Sequence, residues 1–418
     1  MNLAKVTGKL KEQIHVFSGK LSFGLPKVAR RFVEESIYGI QTKQSVHLSE
    51  IARALNDKVS LIKIINRLSR QLCRADLWQK LSASLLKLAA KSVEADTLLI
   101  LDLSDITKPY ARGMEYLARV YNGSDGTLGD GYWTVNVAAC ETGGSEVVPL
   151  YCRLHSQLAP EYLGENLEVE RAVKMVSDAV SGRGIWVIDR GADRRELFDY
   201  FLTEKRRFII RLRGDRNMLY RGQTLLVREI AQRCSLPYTE VIIKEEKSVE
   251  KRFDISFGFC PVKLPDNPVP LCLVVVSGYG EEPIMLLTNL PLKKNRAMLS
   301  FVMESYITRW KIEETLRFVK QSYQLEDIRL LSYRRLQNMM ALVLAVAFFA
   351  TVYVGQRLKL ETLSAVVMRL SRRIFGIPDF RFYAIAEGIK RLLERDDKGP
   401  GPPNPPWTPK TQLKLLIT

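Results

Sequence analysis

The chain has 418 residues, 46% of them hydrophobic, enough for two or three domains with a substantial core, and its formal charge is +17. An excess of that size asks for a polyanionic partner, either nucleic acid or an anionic membrane. The six cysteines form no C-x-x-C pair, and His15, His47 and His155 lie far apart. Neither a zinc site nor a disulfide framework is signalled, so free thiols in a reducing cytoplasm are expected.

Residues 1–92 read as a helical region. Its first 25 residues mix Lys5, Lys9, Lys11 and Glu12 with short apolar stretches, which is not the single apolar block of a signal peptide. The first 80 residues hold 15 Lys and Arg against 6 Asp and Glu, so much of the net charge sits early. Within them, LSEIARALNDKVSLIKIINRLSRQL predicts a helix from Ser49, a turn around Asn56 to Lys58 and a second helix from Ser60 to Leu72. This is the outline of a helix-turn-helix, with Ser60, Lys63, Arg67 and Arg70 facing outward as a groove or phosphate surface. Paired amphipathic helices also occur in proteins that never touch DNA; the charge excess favours DNA.

Thr97 to Leu101 (TLLIL) predicts a buried strand that delivers Asp102 at its carboxyl end, with Asp105 competing three residues later. Strands follow at Tyr132 to Ala139 and Glu146 to Arg153, joined by Gly-rich turns as an antiparallel meander. A helix over Glu165 to Val180 leads to a strand at Gly184 to Ile188 that ends in Asp189, and a helix between strands implies a parallel crossover. After a helix at Arg194 to Glu204 comes the strand Arg207 to Leu212 (RFIIRL). Two acids thus end two core strands. One strand-end Asp is usually a turn former; a converging pair joined by a later helical acid can bind two divalent cations for phosphodiester chemistry.

The later acid comes from YITRWKIEETLRFVK. On one helix, Tyr306, Arg309, Glu313 and Lys320 fall at about 0°, −60°, −20° and −40°, a narrow stripe, with Glu314 about 80° away. Ion pairs such as Arg309 with Glu313 on a solvated face would give the same pattern. A phenol and two cations flanking one acid also suit a phosphate-handling site.

With these three motifs in order, the chain resembles the DDE transposases of bacterial insertion sequences, in the branch with a Tyr-x2-Arg-x3-Glu-x6-Lys signature. Tyr306, Arg309, Glu313 and Lys320 match it at every spacing, Asp102 in ILDLSD is similar to the first-acid strand, and Asp189 in VIDRGAD to the second-acid motif. The resemblance runs from about Leu98 to about Val354. It implies an α/β, ribonuclease-H-like catalytic domain and cut-and-paste transposition with Mg²⁺, two ions being expected and Mn²⁺ able to substitute. It also implies Asp102, Asp189 and Glu313 as metal ligands, Tyr306, Arg309, Lys320 and Arg190 as DNA contacts, and a homodimer on double-stranded DNA of element ends and target.

The catalytic domain is assigned to 93–216 and 292–355, interrupted by a β-rich insertion at 217–291. Its clearest strand is Arg252 to Cys260, with alternating apolar residues; others are read at Thr239 to Lys244, Leu271 to Ser277 and Ile284 to Thr288. Members that cut through a DNA hairpin are thought to hold a flipped base on aromatic side chains, including a Trp in the insertion. Here Trp78, Trp133, Trp186, Trp310 and Trp407 all lie outside it, leaving the hairpin step open and Tyr279 or Phe259 as substitutes.

Met339 to Val354 is short for a membrane span, has no clear flanking-charge bias and reads as a buried core helix, so no membrane is expected. Helices at Glu361 to Phe375 and Ala384 to Arg395 make a carboxyl-terminal region at 356–397, and the Pro-rich 398–418 is a tail. The reading is a cytoplasmic transposase; a transposase-derived DNA-binding protein that no longer cuts, and a plain metal-dependent nuclease, are the alternatives.

Overall fold

The computed structural model describes residues 3–123, 126–144, 146–246, 249–293, 295–354, 382–396 and 398–400. The helix expected at Glu361 to Phe375 and nearly all of the Pro-rich tail lie outside these residues.

Five helices open the chain: α1 (Leu3–Leu21), α2 (Lys27–Lys43), α3 (Leu48–Ala54), α4 (Leu61–Leu72) and α5 (Leu77–Ala89). Each buries a stripe at helical spacing, such as Val6, Leu10, Ile14, Phe17 and Leu21 on α1 and Ile64, Leu68 and Leu72 on α4. Gly39 lets α2 and α3 approach closely, since a Cβ there would stand 2.6 Å from the Ile51 side chain.

The sheet follows from the strands β1 (Leu98–Thr107), β2 (Ala118–Asn122), β3 (Thr127–Cys140), β4 (Val147–His155), β5 (Ile185–Ile188) and β6 (Phe208–Arg211), with α6 (Glu165–Ala179) and α7 (Arg195–Thr203) as crossovers. β3 pairs antiparallel with β1, β2 and β4, while β1, β5 and β6 run parallel. The crossover helices predict that parallel arrangement, because parallel neighbours need a long connection. The first strand is longer than its apolar run: β1 continues to Thr107 on β3 alone, so Asp102 is mid-strand rather than at the carboxyl end. What ends near Asp102 is the parallel pairing, whose last partners are Leu101 and Ile188.

Next come a small hairpin of β7 (Asn217–Tyr220) and β8 (Gln223–Leu226), the helix α8 (Val227–Arg233), and the strands β9 (Tyr238–Glu246), β10 (Val249–Val262), β11 (Leu271–Ser277) and β12 (Ile284–Thr288). The strands β9 to β12 do not form a separate sheet. β12 pairs antiparallel with β6, and the order β2-β3-β1-β5-β6-β12-β11-β10-β9 makes one mixed sheet with β4 on β3.

The helices α9 (Arg296–Thr308) and α10 (Trp310–Ser322) lead to α11 (Tyr333–Phe348), which continues as a π-helical turn at Phe349–Tyr353. Tyr333–Tyr353 is, among the described residues, the one helix long and apolar enough to cross a membrane, and it is a core element. The α1 residue Phe17 packs on Phe348, Phe349 and Tyr353. Asn338, buried in this apolar helix, accepts from the Trp78 backbone N–H at 2.9 Å and donates to the Leu72 and Arg74 carbonyls at 2.7 and 2.8 Å, pinning the α4–α5 turn to α11. A last helix, Phe382–Glu394, matches the one read at Ala384 to Arg395.

Candidate active site

Asp102 and Asp189 meet where the parallel pairing of β1 and β5 stops. Asp102 is just past Leu101, and Asp189 follows Ile188 in extended conformation before a 3₁₀ turn at Arg190–Ala192. Backbone facing this crevice has no further strand to pair with, which is why ligand-binding side chains collect at such ends.

The third acid arrives on a helix that is not continuous. α9 ends at Thr308, Arg309 caps both helices, and α10 starts at Trp310. The Arg309 N–H reaches the Tyr306 carbonyl at 3.1 Å and the Ile312 N–H reaches the Arg309 carbonyl at 3.1 Å, three-residue spacings that tighten the chain there. A single-helix stripe is therefore an idealisation, yet Tyr306, Arg309 and Glu313 still reach the acids.

Arg309 stands among all three. Its Nη2 donates to Glu313 Oε1 at 2.8 Å, its Nη1 lies 3.8 Å from Asp102 Oδ1, and Asp189 is the largest charge holding it protonated against the opposing effect of burial. Burial pushes the Asp102 carboxyl up to about 7; Arg309 opposes that shift, and the Glu313 and Asp189 charges add to it. Asp189 goes the other way. Burial would raise it, but Arg309, the Arg190 backbone N–H, the Tyr306 hydroxyl at 2.8 Å and Arg211 together hold it below the usual range.

All-carboxylate oxygen donors suit a hard divalent cation, whose charge would favour the ionised form of Asp102 against burial and its neighbours' charge. Among the described residues no three acid, His or Cys groups stand close enough to hold one ion as placed, and the Arg309 guanidinium is the cation between these three acids.

Lys320 shares the expected motif but not this cluster. Its Nζ lies 3.8 Å from Asp105 and 3.4 Å from Glu326, while Asp105 also accepts from the Thr107 hydroxyl at 2.7 Å. Asp105 therefore has its own partners, Lys320 and Thr107, whereas Asp102 faces Arg309. Glu314 pairs with Arg317, one turn on. Asp193, the further acid of the second motif, is buried and holds the loop after β6 by accepting from the Arg213 N–H at 2.8 Å and binding Arg216. Arg190 is exposed beside Asp189.

Sequence reading missed Arg211. Its Nη1 donates to the Tyr306 hydroxyl at 3.3 Å, and its guanidinium sits 5.9 Å from the centre of that ring, with Arg309 at 5.7 Å. The signal was the polar residue closing the apolar run RFIIR, but nothing local gave it a partner.

In the amino-terminal helices, Lys63 and Arg70 are exposed as expected. Arg67 corrects the predicted face: it turns inward, donating to both oxygens of buried Glu35 at 2.8 and 2.6 Å with Asp57 at 3.6 Å. Glu35 lies 32 residues upstream, beyond the reach of a helix-face argument.

Residues 169–349 match the family model of the transposase DDE domain, a span containing Asp189, Tyr306, Arg309, Glu313 and Lys320 but beginning after Asp102. The matched residues make up less than half of the chain. No curated protein matches the chain. Among solved structures it is similar to the piggyBac transposase synaptic complex with hairpin DNA, seen by cryo-EM, at 12% identity and a TM-score of 0.47 over 97% of this chain and 86% of that one.

Proposed function

We propose that this chain is a DDE transposase that moves an insertion sequence by cut and paste, cutting at the element's ends and joining them to target DNA. One observation carries the reading: three carboxylates from β1, the end of β5 and α10 gather around the guanidinium of Arg309 at the open end of the parallel strands. The strand order β4-β3-β1-β5-β6, antiparallel then parallel, supports a ribonuclease-H-like catalytic domain.

In this reading Asp102, Asp189 and Glu313 hold two Mg²⁺ ions, with Mn²⁺ able to substitute. Bound there, the ions supply Lewis acidity that lowers the pKa of the attacking water or 3′-hydroxyl and stabilises the departing 3′-oxygen. The protein's own groups do the rest. Arg309 neutralises the acids in their metal-free state and, once their charge is otherwise balanced, turns to a DNA phosphate. Tyr306, held by Asp189 and Arg211, fixes the second acid. Arg190 and Lys320 add positive charge for the flanking backbone, which a guanidinium engages in two hydrogen bonds and an ammonium as a point charge. The amino-terminal helices bind the ends, two copies assemble on DNA, and the chain works in the cytoplasm, in keeping with six free cysteines.

The test is incubation of purified full-length protein with labelled element ends and Mg²⁺, followed by product sizing. Wild type should give cut ends and joined products, while Asp102→Asn and Asp189→Asn bind DNA without cutting it. Cutting by both variants would overturn the acid assignment. DNA binding by wild type without cutting would leave a transposase-derived binding protein, and cutting without joined products a plain nuclease.

A further inference from the structure

Helix α4 carries an outward stripe that the phosphate-binding role does not explain. Taking Ile62 as zero at about 100° per residue, Asn66 falls near 40°, Arg70 near 80° and Lys63 near 100°. All four are exposed, Ile62 by 61%, and the stripe contains no acid. The opposite face is fixed in two ways. Ile64, Leu68 and Leu72 are buried, and the Arg67 Nη1 donates to both carboxylate oxygens of Glu35 on α2 at 2.8 and 2.6 Å. Lys63, Asn66 and Arg70 bond to no other side chain among the described residues.

An exposed β-branched side chain one turn before an unpartnered amide costs solvation without adding to the core, and two free cations flank the pair. In the major groove each type has a use. Asn bonds bidentately to adenine, an apolar group meets the thymine methyl, and flanking Lys and Arg take phosphates. The early residues of the second helix of a helix-turn-helix are the ones that reach base edges. Charge decides against a protein partner, since an acid-free stripe with unpaired cations on a chain of net charge +17 fits a polyanion.

We propose that α4 reads base sequence through Ile62 and Asn66, that Lys63 and Arg70 grip flanking phosphates, and that Arg67 is a positioning residue that sets the helix and does not touch DNA. This rests on the proposed DNA-binding function. Ile62 and Asn66 are four residues apart, about 6 Å along the helix. At about 3.4 Å per base pair, the reading predicts an A·T pair under Asn66 and a thymine about two pairs away under Ile62.

The experiment is selection of full-length protein on a pool of 30-base-pair duplexes with a randomised centre, then affinity and salt titration on the selected and unselected DNA. Wild type should yield a consensus containing that A·T pair. Asn66→Ala and Ile62→Ala should each lose about tenfold of the preference at one position, about 1.4 kcal/mol, with unchanged binding to the unselected pool. Lys63→Ala and Arg70→Ala should each flatten the log–log salt slope by about one, and Arg67→Gln should leave it unchanged. A wild-type consensus kept in full by both Asn66→Ala and Ile62→Ala, or salt-dependent binding with no consensus, would overturn base reading by α4 while leaving DNA binding standing. Slope flattening by Arg67→Gln equal to that of Lys63→Ala would overturn the positioning role. No DNA binding by wild type would remove the functional reading itself, with a protein partner for the stripe as the remaining explanation.

Discussion

The Tyr306 hydroxyl donates to Asp189 Oδ1 at 2.8 Å, tying the end of β5 to α9 across 117 residues of chain. The ring is buried, and Arg211 approaches the same oxygen at 3.3 Å, so one phenol mediates between an acid and a cation. Tyr306→Phe keeps the ring and removes the hydroxyl. It should cost about 1.5–3 kcal/mol, the range for a hydrogen bond to a charged group. A double-mutant cycle with Arg211→Met should show coupling of about 0.5 kcal/mol or more, read from urea unfolding. Additive losses would mean that Arg211 does not act through the tyrosine.

Glu313 and Glu314 are neighbours with different partners: Glu313 accepts from Arg309 Nη2 at 2.8 Å, and Glu314 accepts from Arg317. Glu313→Gln should abolish Mg²⁺-dependent end cleavage with folding and DNA binding intact. Glu314→Gln should cleave normally and change stability by no more than about 0.5 kcal/mol. Both variants belong in one cleavage assay with circular dichroism alongside; a dead Glu314 variant beside an active Glu313 variant would reverse the assignment.

His155 ends β4 in the core, 3% exposed, stacked on Tyr162 at 5.6 Å, with neither ring nitrogen hydrogen-bonded among the described residues. Burial, helped by Arg153 and Arg171, takes its pKa down to about 4. An unfolded imidazole titrates near about 6.5, so the unfolded chain takes up a proton that the folded chain refuses. The native state loses stability as pH falls from about 6.5 through about 4, by about 3 kcal/mol in all. His155→Phe keeps the stacked ring and removes the proton site. The variant should gain on wild type over that window in urea unfolding at a series of pH values. A stability difference constant from pH 7.5 to 4 would show that the imidazole is not held neutral.

The parts legible in sequence were those written locally. Apolar runs ending in Asp102 and Asp189 and the Tyr306 to Lys320 spacing singled out three acids that the fold brings together around Arg309, and Phe253, Ile255, Phe257 and Phe259 marked β10 by alternation alone. What was illegible depended on partners far along the chain. The β1 extension to Thr107 is held by β3, Arg67 answers to Glu35, and Lys320 answers to Asp105. The helix break at Arg309 was hidden as well, because YITRWKIEE contains no Pro or Gly to announce it; the break comes with a guanidinium drawn among three acids. β2 and the β7–β8 hairpin were missed because four or five residues are too few to show a period.

Arg309 balances acids that would otherwise repel one another, so its loss and metal binding should be linked. Its side chain is 13% exposed, and its Nε is buried without a partner among the described residues. In Arg309→Met, metal-free protein keeps three carboxylates offset, among the described residues, only by Arg211 beside Asp189. A divalent ion then has no guanidinium to displace. Adding Mg²⁺ should raise the melting temperature of Arg309→Met more than that of wild type, since a ligand at a hundred times its Kd contributes about 2.7 kcal/mol. Adding Asp102→Asn should remove most of the gain, because it deletes one donor charge. The measurement is thermal unfolding of the three proteins with EDTA and across a Mg²⁺ series, with Na⁺ at matched ionic strength as the control. Equal Mg²⁺ shifts in wild type and Arg309→Met would mean that the guanidinium and the ion do not compete for the same charges, and the metal site would have to lie away from Arg309.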